Sequence, residues 1–196
     1  MERDTTMSRV LLVALFLSLL PAAALAEQSA EIPKGKQTTL GLYVTAAEAY
    51  DKWKADPDHI KILDVRVPEE YIFVGHADMA WNIPFTFQTY EWDAAKNHFA
   101  MKPNPDFVAS VKAWANPQDT ILVMCRSGGR SARAVDVLAE AGFTNVYSIV
   151  DGMEGDAVED PESPLKGKRT LNGWKNSGLP WTYTIDPEHV RLPAKQ

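Results

Sequence analysis

Cysteine occurs once in the 196 residues, at Cys125. A single thiol excludes an intramolecular disulfide, a Cys-rich metal site and the Cys-x-x-Cys pair of a disulfide oxidoreductase. The four histidines, His59, His76, His98 and His189, fall at no spacing that a metal site uses. No block of basic residues relieves a formal net charge of -6, so the electrostatic footprint of a nucleic-acid or anionic-membrane binder is missing. Internal repeats and low-complexity tracts are absent too, which removes solenoids and arrays. Hydrophobic residues at 45% and charged residues at 23% leave a globular chain with enough apolar matter for one core.

Long apolar runs are also scarce. The one example is VLLVALFLSLL at 10–20, followed by Pro21 and then Ala24, Leu25 and Ala26. It is shorter than the ~20 residues that span a bilayer. With its small-x-small ending, the stretch 1–26 reads as a secretory signal peptide cleaved before Glu27. Initiation at Met7 would leave a compact signal over 7–26, free of the acidic Glu2 and Asp4. The expectation is an exported protein, in a bacterial periplasm, with no membrane association after cleavage. In an oxidising compartment an unpaired cysteine is a candidate reactive thiol.

Beyond the signal, 27–41 is polar, carries Pro33 and Gly35, and reads as an extended lead-in. Thr45 and Glu48 form a capping box that predicts a helix over 46–54. Short apolar runs at 61–65 (KILDV), 81–83 (WNI), 121–124 (ILVM) and 146–150 (VYSIV) predict strands, with an edge strand at 42–44. Helical spacing of apolar residues marks 106–115 and 131–141, the latter stopped by Gly142. Strands alternating with helices require crossover connections. The fold class is therefore α/β, with a mainly parallel sheet and helices on both faces. In such sheets the chemistry lies beyond the carboxyl ends of the strands. The segment 85–105, with Phe87, Tyr90, Trp92 and Phe99, is long for a connection. It is either a lid or wall of a pocket, or a surface loop whose rings pack on the sheet. The extension 157–196, with Trp174 and Trp181, is expected to wrap the domain formed by 42–156.

One stretch carries reactive chemistry: Cys125-Arg126-Ser127-Gly128-Gly129-Arg130-Ser131, between an apolar strand and an amphipathic helix. A lone cysteine at a strand end is ordinarily a small buried hydrophobe. Here two glycines allow the backbone to curl with its amides inward, and two arginines flank them, a combination with no packing purpose. Ser131 is placed to cap the helix. The helix N-terminus and both guanidinium groups favour a thiolate, so the Cys125 pKa is expected to be depressed. No Walker lysine follows the glycines, which excludes a P-loop.

The loop resembles the Cys-Arg-Ser-Gly-x-Arg-Ser active-site loop of single-domain rhodaneses. Two further stretches are similar to that family. One is Ile62-Leu63-Asp64-Val65-Arg66 with Glu69, Glu70, Tyr71, Gly75, His76, Asn82, Ile83 and Pro84. The other is Gly142-Phe143 and Asn145-Val146-Tyr147 leading to Asp151-Gly152-Met153. Met79 and Met153 stand where the family commonly has glycine. The resemblance implies a five-stranded rhodanese-like sheet with Cys125 at the base of the pocket. It also implies sulfur transfer by a ping-pong route. The Cys125 thiolate would take the outer sulfur of a small donor, thiosulfate or a persulfide, and pass it to a thiol acceptor, small molecule or protein, or to cyanide. No cofactor and no metal are expected. Arg126, Ser127, Gly128, Gly129, Arg130 and Ser131 would bind the anionic donor.

Loop length separates this from phosphate chemistry. A phosphate-cleaving cysteine enzyme places its arginine six positions after the cysteine; here Arg130 is five after and Ser131 six after. Asp64 and Arg66, at a strand end on the same side of the sheet, either brace the loop or serve as a turn aspartate and a solvated arginine. His76 and Asn82 are expected to fix the turn before a buried strand. The competing function is a rhodanese-fold binding or redox-sensing module in which Cys125 turns nothing over.

Overall fold

The computed structural model describes residues 31–192. The signal-peptide reading over 1–26 and the first residues of the lead-in lie outside that range. The order of elements is β1 (Tyr43–Val44), α1 (Ala46–Ala55), β2 (Ile60–Asp64), α2 (Pro68–Phe73), β3 (Trp81–Asn82), β4 (Thr86–Asp93), β5 (His98–Pro103), α3 (Phe107–Trp114), β6 (Thr120–Met124), α4 (Gly129–Glu140) and β7 (Val146–Ile149). Five strands form one sheet in the order β1-β7-β6-β2-β3. Every neighbouring pair in it is parallel, with Asp64 of β2 in register with Met124 of β6. β6, between β7 and β2, is central, and it delivers Cys125 to the carboxyl edge of the sheet.

The alternation of side chains along β6 explains the two cores. Ile121, Val123 and Cys125 point to one face, where they pack with Phe107, Val111, Ala134, Val135 and Leu138 of α3 and α4. Leu122 and Met124 point to the other, with Ala46 and Ala49 of α1, Met153 and Trp174. Both faces of β6 are dry, which is why it reads as an unbroken apolar run. Trp174 is fully buried, and its indole N–H donates to Pro180 O at 2.8 Å, so the C-terminal extension supplies core on the α1 face. Thr45 caps α1 as the sequence indicates: Glu48 N donates to Thr45 Oγ1 at 3.3 Å and Thr45 N to Glu48 Oε2 at 2.7 Å.

The segment 85–105 is a hairpin of its own. β4 and β5 pair antiparallel, with a register shift between Gln88 and Trp92. The lead-in differs from the extended expectation: Lys34–Lys36 forms a 3₁₀ turn packed against α4. The Lys36 ammonium, 2.7 Å from Asp156 Oδ1, holds it there.

Candidate active site

Met124 ends β6, and the chain turns at Cys125. Two contacts fix that turn from outside: Met153 N donates to Cys125 O at 2.8 Å, and Glu154 N to Arg126 O at 2.9 Å. They require the chain just after β7 to run close by. Gly152 (φ 62°) allows it, because a Cβ there would overlap the Cys125 carbonyl oxygen. Gly128 (φ 95°) is the N-cap of α4, and a Cβ on it would overlap Val150 O.

This left-handed residue curls the loop back so that Gly128 N donates to Cys125 Sγ at 3.2 Å. It also starts the helix two residues before the expected position. Ser131 therefore sits within the first turn and is not its cap. Its hydroxyl donates to Gly128 O at 2.9 Å and lies 3.6 Å from Cys125 Sγ and 3.1 Å from Ser148 Oγ. Ser148, a buried hydroxyl inside the apolar run of β7, was not singled out from sequence. A polar residue in an otherwise apolar strand was its signal.

Gly35, Arg126, Ser127, Gly129, Arg130 and Arg133 surround Cys125 in a cleft of about 300 Å³. The lead-in thus supplies one wall. Arg126 is exposed, and Arg130 is held. Its Nη1 and Nη2 donate to the two Glu70 carboxylate oxygens at 2.5 and 2.6 Å, a bidentate pair that fixes the guanidinium plane. Glu70 also accepts from Val67 N at 3.2 Å at the start of α2. Burial works against the Glu70 carboxylate, but the Arg130 fork and charge overcome it and hold Glu70 below the ordinary carboxylate range. Burial likewise opposes the Arg130 charge, and Glu70 more than offsets it, so Arg130 stays firmly protonated. Sequence reading missed Glu70 as a partner of the loop. It missed Arg133 too, although Arg130 and Arg133 sit one helical turn apart.

Asp64 and Arg66 are both fully buried, and their side chains make no hydrogen bond to residues 125–131. Arg66 Nε and Nη2 donate to Asp64 at 3.0 and 2.6 Å, and Nη2 also to Gly75 O at 2.9 Å. The alternative of a solvated Arg66 is thereby overturned, because the side chain folds back onto its own strand end. Asn82 Nδ2 donates to Asp64 O and Arg66 O, and His76 Nδ1 lies 3.0 Å from Tyr71 O with its ring stacked on Tyr71. Both residues fix the turn into β3, and neither reaches the cleft. On the opposite side Asp151 accepts from Ala46 N and Gly173 N, tying α1 and the C-terminal extension to the loop after β7. Burial pushes its carboxyl up despite those amides.

The cleft opens sideways into a groove of about 990 Å³ whose far wall is one face of the β4–β5 hairpin. Arg126, Arg130 and Arg133 line both spaces. Of the two expectations for 85–105, the pocket wall is what the hairpin forms. Among the described residues, no group of three or more His, Cys, Asp or Glu is placed to hold a metal ion. No helix there is long and apolar enough to cross a membrane.

Comparison with known proteins agrees with this layout. The family model for the rhodanese-like domain matches residues 45–157. Thiosulfate sulfurtransferase 16 (chloroplastic) of Arabidopsis thaliana is 41% identical over 92 residues, covering 47% of this chain and 69% of that protein. Senescence-associated protein DIN1 of Raphanus sativus is 36% identical over 92 residues, covering 47% of this chain but only 45% of its own length. Among solved structures, Rv0390 from M. tuberculosis superposes with a TM-score of 0.56 at 28% identity, covering 72% of this chain and 96% of that one.

Proposed function

Since the chain belongs to the rhodanese-like domain family, we propose that it is a sulfurtransferase that carries sulfane sulfur on Cys125. The observation that carries this reading is the position of Cys125 Sγ. It sits at the end of the central strand, takes a hydrogen bond from Gly128 N, and faces a cleft walled by three arginines. A buried structural thiol needs none of these.

In the first half-reaction the Cys125 thiolate attacks the outer sulfur of thiosulfate. The sulfur–sulfur bond of the donor breaks, sulfite leaves with the electron pair, and Cys125 becomes a persulfide. In the second, an acceptor thiolate attacks the outer sulfur of that persulfide, the bond to Sγ breaks, and Cys125 returns as thiolate. Charge and electron count balance in each step, so no external oxidant is required. Arg126, together with the plane of Arg130 fixed by Glu70, favours the dianionic donor and the departing sulfite. The Gly128 amide, already aimed at Cys125 Sγ, stabilises negative sulfur without reorganising. The similarity to a thiosulfate sulfurtransferase of Arabidopsis thaliana supports thiosulfate as the donor to try first.

Intact mass after incubation with thiosulfate tests the reading. The expected result is a gain of one sulfur on the wild type and none on Cys125→Ala, with thiosulfate:cyanide turnover lost in the same variant. Turnover that survives the substitution refutes the nucleophile, and a wild type that never gains sulfur leaves a rhodanese-fold binding or sensing module. Export to a periplasm is part of the same proposal and rests on the 1–26 pattern. A mature protein that retains Met1 or Met7 by mass spectrometry contradicts it.

A further inference from the structure

The donor cleft of about 300 Å³ suffices for a small inorganic anion. The adjoining groove of about 990 Å³ is at the upper end of the range that encloses a drug-sized ligand, and thiosulfate would leave it almost empty. Its two walls differ in chemistry. One carries Arg126, Arg130 and Arg133, with Glu70 compensating Arg130, and Arg126 and Arg133 enter no ion pair among the described residues. The other is the hairpin face bearing Trp92, Phe99 and Met101. Trp92 and Phe99 meet edge-to-face at 5.4 Å, and yet Trp92 is 56% and Phe99 43% exposed. Exposed aromatics beside unpaired arginines are the make-up of a recognition surface.

The geometry points to a docking groove for the sulfur acceptor: an acidic, cysteine-bearing peptide segment of another protein. Its carboxylates would lie against Arg126 and Arg133, its apolar side chains on Trp92 and Phe99, and its cysteine at the shared mouth above Cys125. Charge complementarity selects an acidic partner. The net charge of -6 over the whole chain repels an extended polyanion such as nucleic acid outside this local patch. The inference depends on the sulfurtransferase reading for its chemistry, but its binding step can be measured without any sulfur transfer.

The probe is a synthetic peptide with one serine in place of the reactive cysteine, flanked by glutamates and one leucine, and a twin with glutamine for every glutamate. Calorimetric titration of the full protein should show the glutamate peptide binding about tenfold or more tightly than the twin, with the preference shrinking as salt is raised. The double variant Trp92→Ala/Phe99→Ala, which alters only exposed side chains, should bind both peptides about tenfold or more weakly while still gaining one sulfur from thiosulfate. The cysteine form of the glutamate peptide should then accept sulfur from the wild type faster than from the variant. Equal affinity for the two peptides, or unchanged affinity in the double variant, overturns the proposal. So does self-association of the protein that this variant abolishes, which would assign the face to a second copy. Peptide binding without sulfur gain from thiosulfate would leave the groove standing and refute the catalytic reading instead.

Discussion

Glu70 and Arg130 are sixty positions apart in the chain and meet as a two-pronged pair at 2.5 and 2.6 Å beside the Cys125 cleft. The first helical turn of α2 is thereby coupled to the first turn of α4. Glu70→Gln should leave the fold intact and free the Arg130 side chain. Thiosulfate kcat/KM should fall by about tenfold or more, a loss of ~1.4 kcal/mol of transition-state stabilisation. Because the folded Glu70 carboxyl is held below its ordinary 4.5, the stability it contributes is present above that pH and is lost only as the pH falls through the lower folded value. Steady-state kinetics of the variant at neutral pH, and urea denaturation of wild type and variant from pH 6 down to pH 3, check the two statements.

Asp64→Asn should be far more costly to stability than to chemistry. It strands the fully buried Arg66 guanidinium, whose charge is opposed by burial and sustained chiefly by Asp64. Breaking such a pair from one side costs about 3–5 kcal/mol. Urea denaturation should show that loss, and a variant as stable as the wild type would contradict the pairing.

Gly128→Ala and Gly152→Ala should each disable sulfur loading. Both positions have positive φ, and in each a methyl group would overlap a carbonyl oxygen of the facing strand end. The left-handed backbone alone costs an alanine about 1–2 kcal/mol, and the overlap adds to it. Alkylation rates of Cys125 in the two variants should depart from the wild type before the melting temperature reports global unfolding.

His76 should give the protein an acid-sensitive stability. Burial depresses its pKa below the ordinary 6.5 despite the favourable contact with Tyr71 O. The unfolded chain therefore binds a proton at a higher pH than the folded one does, and stability drains away as the pH falls below 6.5 and through the folded value. His76→Gln should flatten the melting-temperature profile between pH 7 and 5. An unchanged slope would show that other groups set it.

The central strands were legible because β2, β6 and β7 are covered on both faces and leave apolar runs, and the Thr45–Glu48 box announced α1 in full. Cys125 and its glycines were legible as a local pattern, a Gly-Gly turn flanked by two arginines between an apolar strand and an amphipathic helix. The hairpin was not. Its aromatics fall at Phe87, Tyr90 and Trp92, a spacing of three and then two, because the register shift between Gln88 and Trp92 breaks the alternation that marks a strand. α2 is six residues long, too short for periodicity, although Pro68 followed by Glu69 and Glu70 is a helix-start pattern. The Glu70–Arg130 and Ser131–Ser148 contacts depend on tertiary closure, which local pattern cannot encode. The Ser131 error had a local cause: a glycine with positive φ can itself be the cap, which moves the helix start upstream.

Gly35 borders the cleft, and it lies only three residues after Ile32. At the reach of an extended chain, anything joined ahead of Ile32 begins within about 11 Å of a residue at the sulfur's doorway. Purification handles and reporter fusions grafted on that side would crowd incoming donors. Leu192 borders a different hollow, so appendages at the other terminus are the sound choice for kinetic work.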